Sequence, residues 1–236
     1  MFEEIQPAPA DAILGLTEAF KKDPRPEKVN LGVGVYQDEK GVTPILDSVK
    51  EAEKRILASA GTKSYYSIAG TPEYGAFVRT LMAGEGHELV GGGRAATAHT
   101  PGGTAALRIG ADFLKLFAPD ATVWVSSPTW DNHKGIFTAA GFRIKEYPYY
   151  DAASKGLDFE AMKTALRKVP AKDIVLLHAC CHNPTGVDLS PDQWKEVSVL
   201  AKKAGWLPFV DFAYQGFGTG LAEDRAAILA LAGNNP

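Results

Sequence analysis

Ile174-Val175-Leu176-Leu177-His178-Ala179-Cys180-Cys181-His182-Asn183-Pro184-Thr185-Gly186 is the stretch on which the fold turns. Through Cys181 it is almost wholly apolar and does not alternate, which is the pattern of a strand buried on both faces. Asn-Pro and Thr-Gly then break it into a turn. Ser190-Pro191, with Gln193 three residues after the serine, form a capping-box start. Trp194, Val197, Leu200, Ala201 and Ala204 make the buried stripe of the helix that follows, and Gly205 stops it. A second apolar run, Leu207-Pro208-Phe209-Val210, ends at Asp211-Phe212-Ala213-Tyr214. Two buried strands joined by one helix run parallel. An amide, a carboxylate and a phenol therefore reach the same edge of one sheet.

The same alternation extends upstream to residue 100. The sequence predicts a helix after Thr100-Pro101-Gly102-Gly103-Thr104 with Leu107, Ala111, Leu114 and Phe117 on its core face. Strand 121–126, helix 132–140, strand 143–147, helix 158–168, strand 173–180, helix 190–204 and strand 207–212 follow. Strict alternation with apolar strands predicts an α/β fold, a mostly parallel sheet covered by helices on both faces. Before residue 100 the pattern is looser. A helical stripe at Ile13, Leu14, Leu16, Thr17 and Phe20 ends at Asp23-Pro24-Arg25-Pro26, and Leu31-Gly32-Val33-Gly34-Val35-Tyr36 reads as a strand. Thr43-Pro44 and Thr71-Pro72 each look like an N-cap followed by a first-turn proline. Ile45, Val49, Ala52 and Ile56 form the face of the first of these helices, and Gly91-Gly92-Gly93 reads as a turn.

Composition narrows the function. Of 236 residues 45% are hydrophobic and 22% charged, ordinary for a globular protein large enough to bury a substantial core. A net charge of −3 with scattered Lys and Arg gives no footprint for nucleic acid or an anionic membrane. Cys180 and Cys181 are neighbours, too close for an ordinary disulfide, so a reducing compartment is expected. The start, Met1-Phe2-Glu3-Glu4-Ile5-Gln6-Pro7, is acidic and has no apolar signal core. No apolar run has the ~20 residues of a membrane span. These features together predict a cytoplasmic protein with no metal site.

Ligands on such sheets bind beyond the carboxyl ends of the strands. Gly102-Gly103-Thr104 opens a helix there, where free N–H groups and the helix dipole favour a phosphate. A tight structural turn would use the same residues. Neither a P-loop lysine nor the dinucleotide Gly-x-Gly-x-x-Gly is present. Trp130, just past a predicted strand, is core-like but placed to stack on a planar ligand, and His133 stands one turn further on. Asn183 could be a turn residue and Asp211 an N-cap. Yet Asp211 ends an apolar run, and a buried carboxylate needs a cationic or hydrogen-bonding partner, which a protonated pyridine nitrogen would be.

Five ordered motifs carry a resemblance that spans nearly the whole chain. They are Asn30-Leu31-Gly32-Val33-Gly34-Val35-Tyr36, Thr100-Pro101-Gly102-Gly103-Thr104-Ala105-Ala106-Leu107-Arg108, Pro128-Thr129-Trp130-Asp131-Asn132-His133, the stretch His178 to Gly186, and Asp211-Phe212-Ala213-Tyr214-Gln215-Gly216-Phe217. The sequence resembles the fold-type I, pyridoxal-phosphate-dependent aspartate/aromatic aminotransferases of subgroup I. The resemblance implies the three-layer major domain at 44–236 and an arm plus a piece of the small domain at 1–43. It implies that Gly102, Gly103 and Thr104 cup the cofactor phosphate and that Trp130 stacks on the ring. Asp211 would pair with the pyridine nitrogen, and Asn183 and Tyr214 with the ring oxygen. His133 and His178 would stand behind these contacts, with His133 orienting Asp211. Gly34, Trp130 and Asn183 would face substrate, and Tyr65 would reach the cofactor phosphate of the partner subunit in a homodimer. The activity implied is transamination between an L-amino acid, aspartate or aromatic, and 2-oxoglutarate.

The chain departs from that pattern in one respect. The family's Schiff-base lysine lies in a Ser-x-Ser-Lys motif downstream of the Asp-x-Ala-Tyr strand, and none of the lysines of residues 1–236 has that context. The chain is therefore expected to be an N-terminal portion, inactive alone, with its last strands absent and a sheet edge exposed. A non-catalytic cofactor-binding or interaction protein on the same fold is the rival expectation, and a nucleotide-binding doubly wound protein a third.

Overall fold

The computed structural model describes residues 12–29 and 35–234. The chain divides into two compact units between Ser64 and Tyr65. The first unit contains α1 (Ala12–Lys22) and α2 (Asp47–Ser59). Helix α2 begins three residues after Pro44, where Asp47 places a carboxylate against the positive end of the helix. Leu46, its N-cap, offers no side-chain acceptor, and Thr43 plays no capping part. No residue of α2 is buried, so the expected face of Ile45, Val49, Ala52 and Ile56 stands open. Of the run expected as a strand at 31–36, residues 31–34 lie outside the described residues and Val35-Tyr36 belong to no strand.

The second unit opens with α3 (Pro72–Ala83), capped as expected by Thr71, whose side chain accepts from the Tyr74 N–H. A one-turn helix, α4 (Glu88–Gly91), replaces part of the expected glycine turn. Next come α5 (Gly103–Phe117), β1 (Thr122–Ser127), α6 (Asp131–Ala139) and β2 (Arg143–Pro148). A two-residue hairpin, β3 (Tyr150–Asp151) with β4 (Gly156–Leu157), was not foreseen. The alternation resumes with α7 (Phe159–Leu166), β5 (Ile174–His178), α8 (Pro191–Ala204) and β6 (Leu207–Asp211). A 3-10 turn (Glu223–Arg225) and α9 (Ala226–Asn234) close the described chain.

The main sheet is parallel throughout and ordered β2-β1-β5-β6. All five residues of β5 are buried, as its unbroken apolar run requires. Its side chains divide by period two. Val175 and Leu177 enter one core with Met162 and Leu166 of α7 and Trp194, Val197 and Ala201 of α8. Ile174 and Leu176 enter the opposite core with Leu107 and Ala111 of α5, Val123 and Val125 of β1 and Phe137 of α6. Each such side chain contributes ~1.5–3 kcal/mol by leaving water. The three-layer α/β/α expectation is met. Phe117, expected in the core, is 73% exposed. It extends an outer stripe with Ile109, Phe113 and Leu116 instead, because α5 carries apolar residues on more than the single face that meets the sheet.

The capping box at Ser190 and Gln193 is formed in both directions, and Gly205 ends α8 in the left-handed conformation at φ 79°. Two features therefore fix the length of the connection between β5 and β6. That sets the register in which His178 lies opposite Asp211. The chemistry at the carboxyl edge of the sheet depends on this pairing.

Candidate active site

A cavity of about 350 Å³ opens beyond the carboxyl ends of β5 and β6. Trp130, His133, His178, Asn183, Asp211 and Tyr214 line it, together with Gly103 at the start of α5. Six side chains singled out in the sequence are thus brought together from three stretches of the chain. Cys180, Cys181 and Phe209 also line the cavity. Of these, only the cysteines could have been suspected, from their position between strand and turn.

The helix start has the character of an anion site. Gly102 takes φ 87°, a conformation that suits glycine, and caps α5 without any side-chain acceptor. No acidic residue occupies the first turn of α5, whereas α3, α7 and α8 have side-chain caps. The leading N–H groups of α5 are left to the cavity, and nothing stands within 4 Å of where a Cβ would sit on Gly102 or Gly103. Gly102 and Thr104 belong to this turn without lining the cavity wall itself.

Asp211 has 21% of its side chain exposed and His133 1%. They meet at 2.9 Å between His133 Nε2 and Asp211 Oδ2. The second carboxylate oxygen accepts the N–H of Ala213 at 3.2 Å. Behind His133, Thr129 Oγ1 lies 2.8 Å from Nδ1. Trp130 stands edge-on to His133, ring centroids 5.2 Å apart. His178 is the next imidazole: its Nδ1 accepts the Asn183 N–H at 3.1 Å, and its Nε2 lies 3.5 Å from His133 Nδ1. A third ring, His182, stacks on Tyr149 at 3.9 Å and tilts against His178 at 4.3 Å. Its Nε2 is 2.9 Å from Ser126 Oγ and its Nδ1 2.7 Å from Thr185 Oγ1.

These partners place a proton on Nε2 of each of the three rings. Ser126 spends its one proton on the Pro128 carbonyl at 2.8 Å, so His182 Nε2–H donates to it and Thr185 donates to His182 Nδ1. A backbone N–H can only donate, so His178 Nδ1 is bare and Nε2 carries the proton. A carboxylate can only accept, so His133 Nε2–H donates to Asp211, with Thr129 Oγ1 beside Nδ1. All three rings carry a proton on Nε2.

Electrostatics agree with this assignment. Burial pulls His178 down to about 4, aided by the neighbouring His133 and opposed by Asp211. Burial pulls His182 down to about 3, with His178 and His133 adding to the effect. Burial alone would raise the carboxyl of Asp211. The hydrogen bond from His133, with the nearby imidazoles, more than reverses this, and Asp211 ionises below the usual carboxylate range. The Cys180 thiol is pushed up by burial and by the Asp224 carboxylate, which marks it as a protonated wall. The site thus presents one fixed negative charge, with His178 and His182 neutral behind it.

Tyr65, expected at the site, is 102% exposed and does not line the cavity, and Gly34 lies outside the described residues. The sequence also gave no role to Thr129, Ser126 or His182. Thr129 precedes His133 by four residues across a helix start, a spacing that could have suggested the pair. Ser126 and His182 are 56 residues apart and meet only in the folded sheet.

The fold and site define a doubly covered parallel-sheet protein whose cavity combines an uncapped helix start with a half-buried carboxylate. The chain belongs to the class I and II aminotransferases, whose family model matches residues 26–235. It is 53% identical over 232 residues to the aspartate aminotransferase of Salmonella typhi and 47% identical over 233 to the aromatic-amino-acid aminotransferase of Escherichia coli. In each comparison 98% of this chain is aligned, and it spans 59% of the relative's length. A crystal structure of the aromatic-amino-acid aminotransferase of Burkholderia pseudomallei, covalently bound to pyridoxal phosphate, superposes with TM-score 0.96 at 47% identity, covering 100% of this chain and 59% of that one. The cytoplasmic aspartate aminotransferase of Saccharomyces cerevisiae gives 0.92 at 35%, covering 99% and 57%.

Proposed function

We propose that this chain forms the major part of the pyridoxal-phosphate cavity of an aminotransferase acting on aspartate or aromatic L-amino acids, with 2-oxoglutarate as acceptor. The observation that carries the reading is Asp211, held anionic at the cavity floor by the hydrogen bond from His133. The donor set fits the cofactor. The uncapped start of α5 suits a dianionic phosphate, Asp211 suits a pyridinium N–H, and Asn183 and Tyr214 supply donors for a ring oxygen. Trp130 would flank the ring. When bound, pyridoxal phosphate supplies an electron sink for the electron pair left as a substrate loses its α-proton.

The protein's own part is electrostatic. Asp211 would hold a proton at the pyridine nitrogen, because its carboxylate stays ionised where that nitrogen would lie. His133 fixes which carboxylate oxygen faces the cavity. The apolar walls at Phe209 and Leu107 lower the local dielectric and strengthen that charge.

A cytoplasmic homodimer accompanies this reading. Tyr65, Tyr66, Ile68 and Phe77 are exposed in one stretch, which supports a second subunit covering them and Tyr65 serving the partner's cavity. Residues 1–43 would supply the arm and the small-domain segment, with Gly34 on the substrate side. The experiment is a spectrophotometric titration of the full-length protein with pyridoxal phosphate. Aspartate, phenylalanine and tyrosine would then be compared as donors to 2-oxoglutarate. A protein that neither takes up the cofactor nor transfers an amino group overturns the proposal.

A further inference from the structure

We propose that Asp188 is a positioning residue for the cavity: its carboxylate holds the turn that presents Asn183, and through the Asn183 N–H it fixes the proton of His178. This inference rests on the function proposed above for its consequence in cofactor binding, though not for its structural content.

Asp188 lies on the surface, beyond the cavity, and is absent from its lining. One of its oxygens accepts the Cys181 N–H at 2.7 Å and the other the His182 N–H at 2.8 Å. Two consecutive amides on one carboxylate form an anion nest closed by the chain's own side chain. The nest exists because Cys181 takes φ 49°, a left-handed conformation uncommon for a residue with a Cβ. Without the clamp, Cys181 has every reason to return to ordinary backbone. The very next N–H, that of Asn183, is the donor to His178 Nδ1. A rotation at Cys181 would swing that N–H away and carry the Asn183 side chain off the cavity wall.

The consequence runs inward. With Nδ1 of His178 no longer bonded to a donor, either ring nitrogen could carry the proton. Nothing would then oblige Nε2–H to point at His133. The single-tautomer line behind Asp211 would become a mixture.

The test uses the full-length protein with 15N-labelled histidine, in Asp188→Ala and Asp188→Asn forms. Asp192→Asn serves as control, since that exposed carboxylate bonds only Lys195 in its own helix turn. Histidine ring 15N spectra, recorded without added cofactor, should show His178 in wild type with one bare and one protonated nitrogen. Asp188→Ala should average these two signals, and Asp188→Asn, which keeps one acceptor oxygen, should do so in part. Affinity for pyridoxal phosphate, from a fluorescence titration, should fall roughly tenfold in Asp188→Ala, as expected for losing two charge-assisted hydrogen bonds behind the site. A His178 pattern unchanged in both variants overturns the inference. Should Asp188→Ala not fold, the Asp188→Asn spectrum decides alone. A His178 change in a protein that does not bind the cofactor even as wild type sinks the proposed function and leaves the positioning role standing.

Discussion

At the scale of single residues the cavity is defined by one charge and by what cannot neutralise it. Replacing Asp211 with Ala in the full-length protein should lower kcat/KM for amino transfer by at least about 10²-fold, the usual effect of removing one aligned electrostatic partner. The far-ultraviolet circular dichroism should be unchanged. Turnover within a few-fold of wild type would mean that the carboxylate only caps the Ala213 turn. The buried imidazoles make a separate, pH-dependent prediction. His178 and His182 have folded-state values of about 4 and about 3, below the ordinary 6.5. A depressed histidine stabilises the fold fully above its unfolded value and progressively less as pH falls toward its folded value. Between pH 6 and 5 the unfolded chain therefore holds about two more protons at these positions. Stability should drop by up to ~2.7 kcal/mol per pH unit, the sum of two single-proton slopes. Urea titrations at several pH values measure this, and a flat profile across that window contradicts the neutral assignment. Asp211 acts in the opposite region, below the ordinary carboxylate range, and does not contribute to that slope.

At the scale of elements, the helix that links β5 to β6 controls how His178 meets Asp211. Ser190→Ala removes one side of the capping box and should cost about 1 kcal/mol, seen as a lower urea midpoint at constant m-value. Gly205→Ala should cost more. The position has φ 79°, and an added Cβ would stand 3.3 Å from the Cβ of Ala171. Finding the alanine neutral there would show that the end of α8 can re-form without left-handed backbone. These same signals were plain in the sequence, because caps and stops are local chemistry. So were the buried strands, since an unbroken apolar run of that length has few alternatives. Other elements were not legible for equally physical reasons. The start of α2 was misplaced because Thr43-Pro44 carries the local signature while Asp47 provides the electrostatics. Helix α9, Ala226–Asn234, is apolar nearly all round and gave no stripe to read. Its placement depends on contacts with α8, including the Ser198 hydroxyl donating to the Ala230 carbonyl at 2.5 Å. Trp130, His133, His178, Asn183, Asp211 and Tyr214, singled out from motif and strand end, line one cavity. The line of His182, Ser126 and Thr185 behind them was not legible, because it joins segments that only the sheet brings together.

At the scale of the whole molecule, the sheet and its helices leave apolar surface uncovered. Among the described residues β6 pairs with β5 alone, so its other edge offers unpaired backbone groups. On α5, Ile109, Phe113, Leu116 and Phe117 recur at helical spacing and are each more than half exposed, and Phe113 and Phe117 touch each other at 5.0 Å instead of the core. A stripe of this kind on one helix, beside an open strand edge, is the surface that in water seeks a partner. A polypeptide of residues 1–236 prepared by itself is therefore expected to self-associate in the micromolar range and to bind a hydrophobic dye. Exchanging both phenylalanines for charged residues, Phe113→Lys with Phe117→Glu, leaves the cores untouched, since neither side chain enters them. The double variant should sediment as a smaller species than the unaltered 1–236 polypeptide at equal concentration and bind less dye. Equal sedimentation of the two would place the associating surface elsewhere, with the free edge of β6 the next candidate.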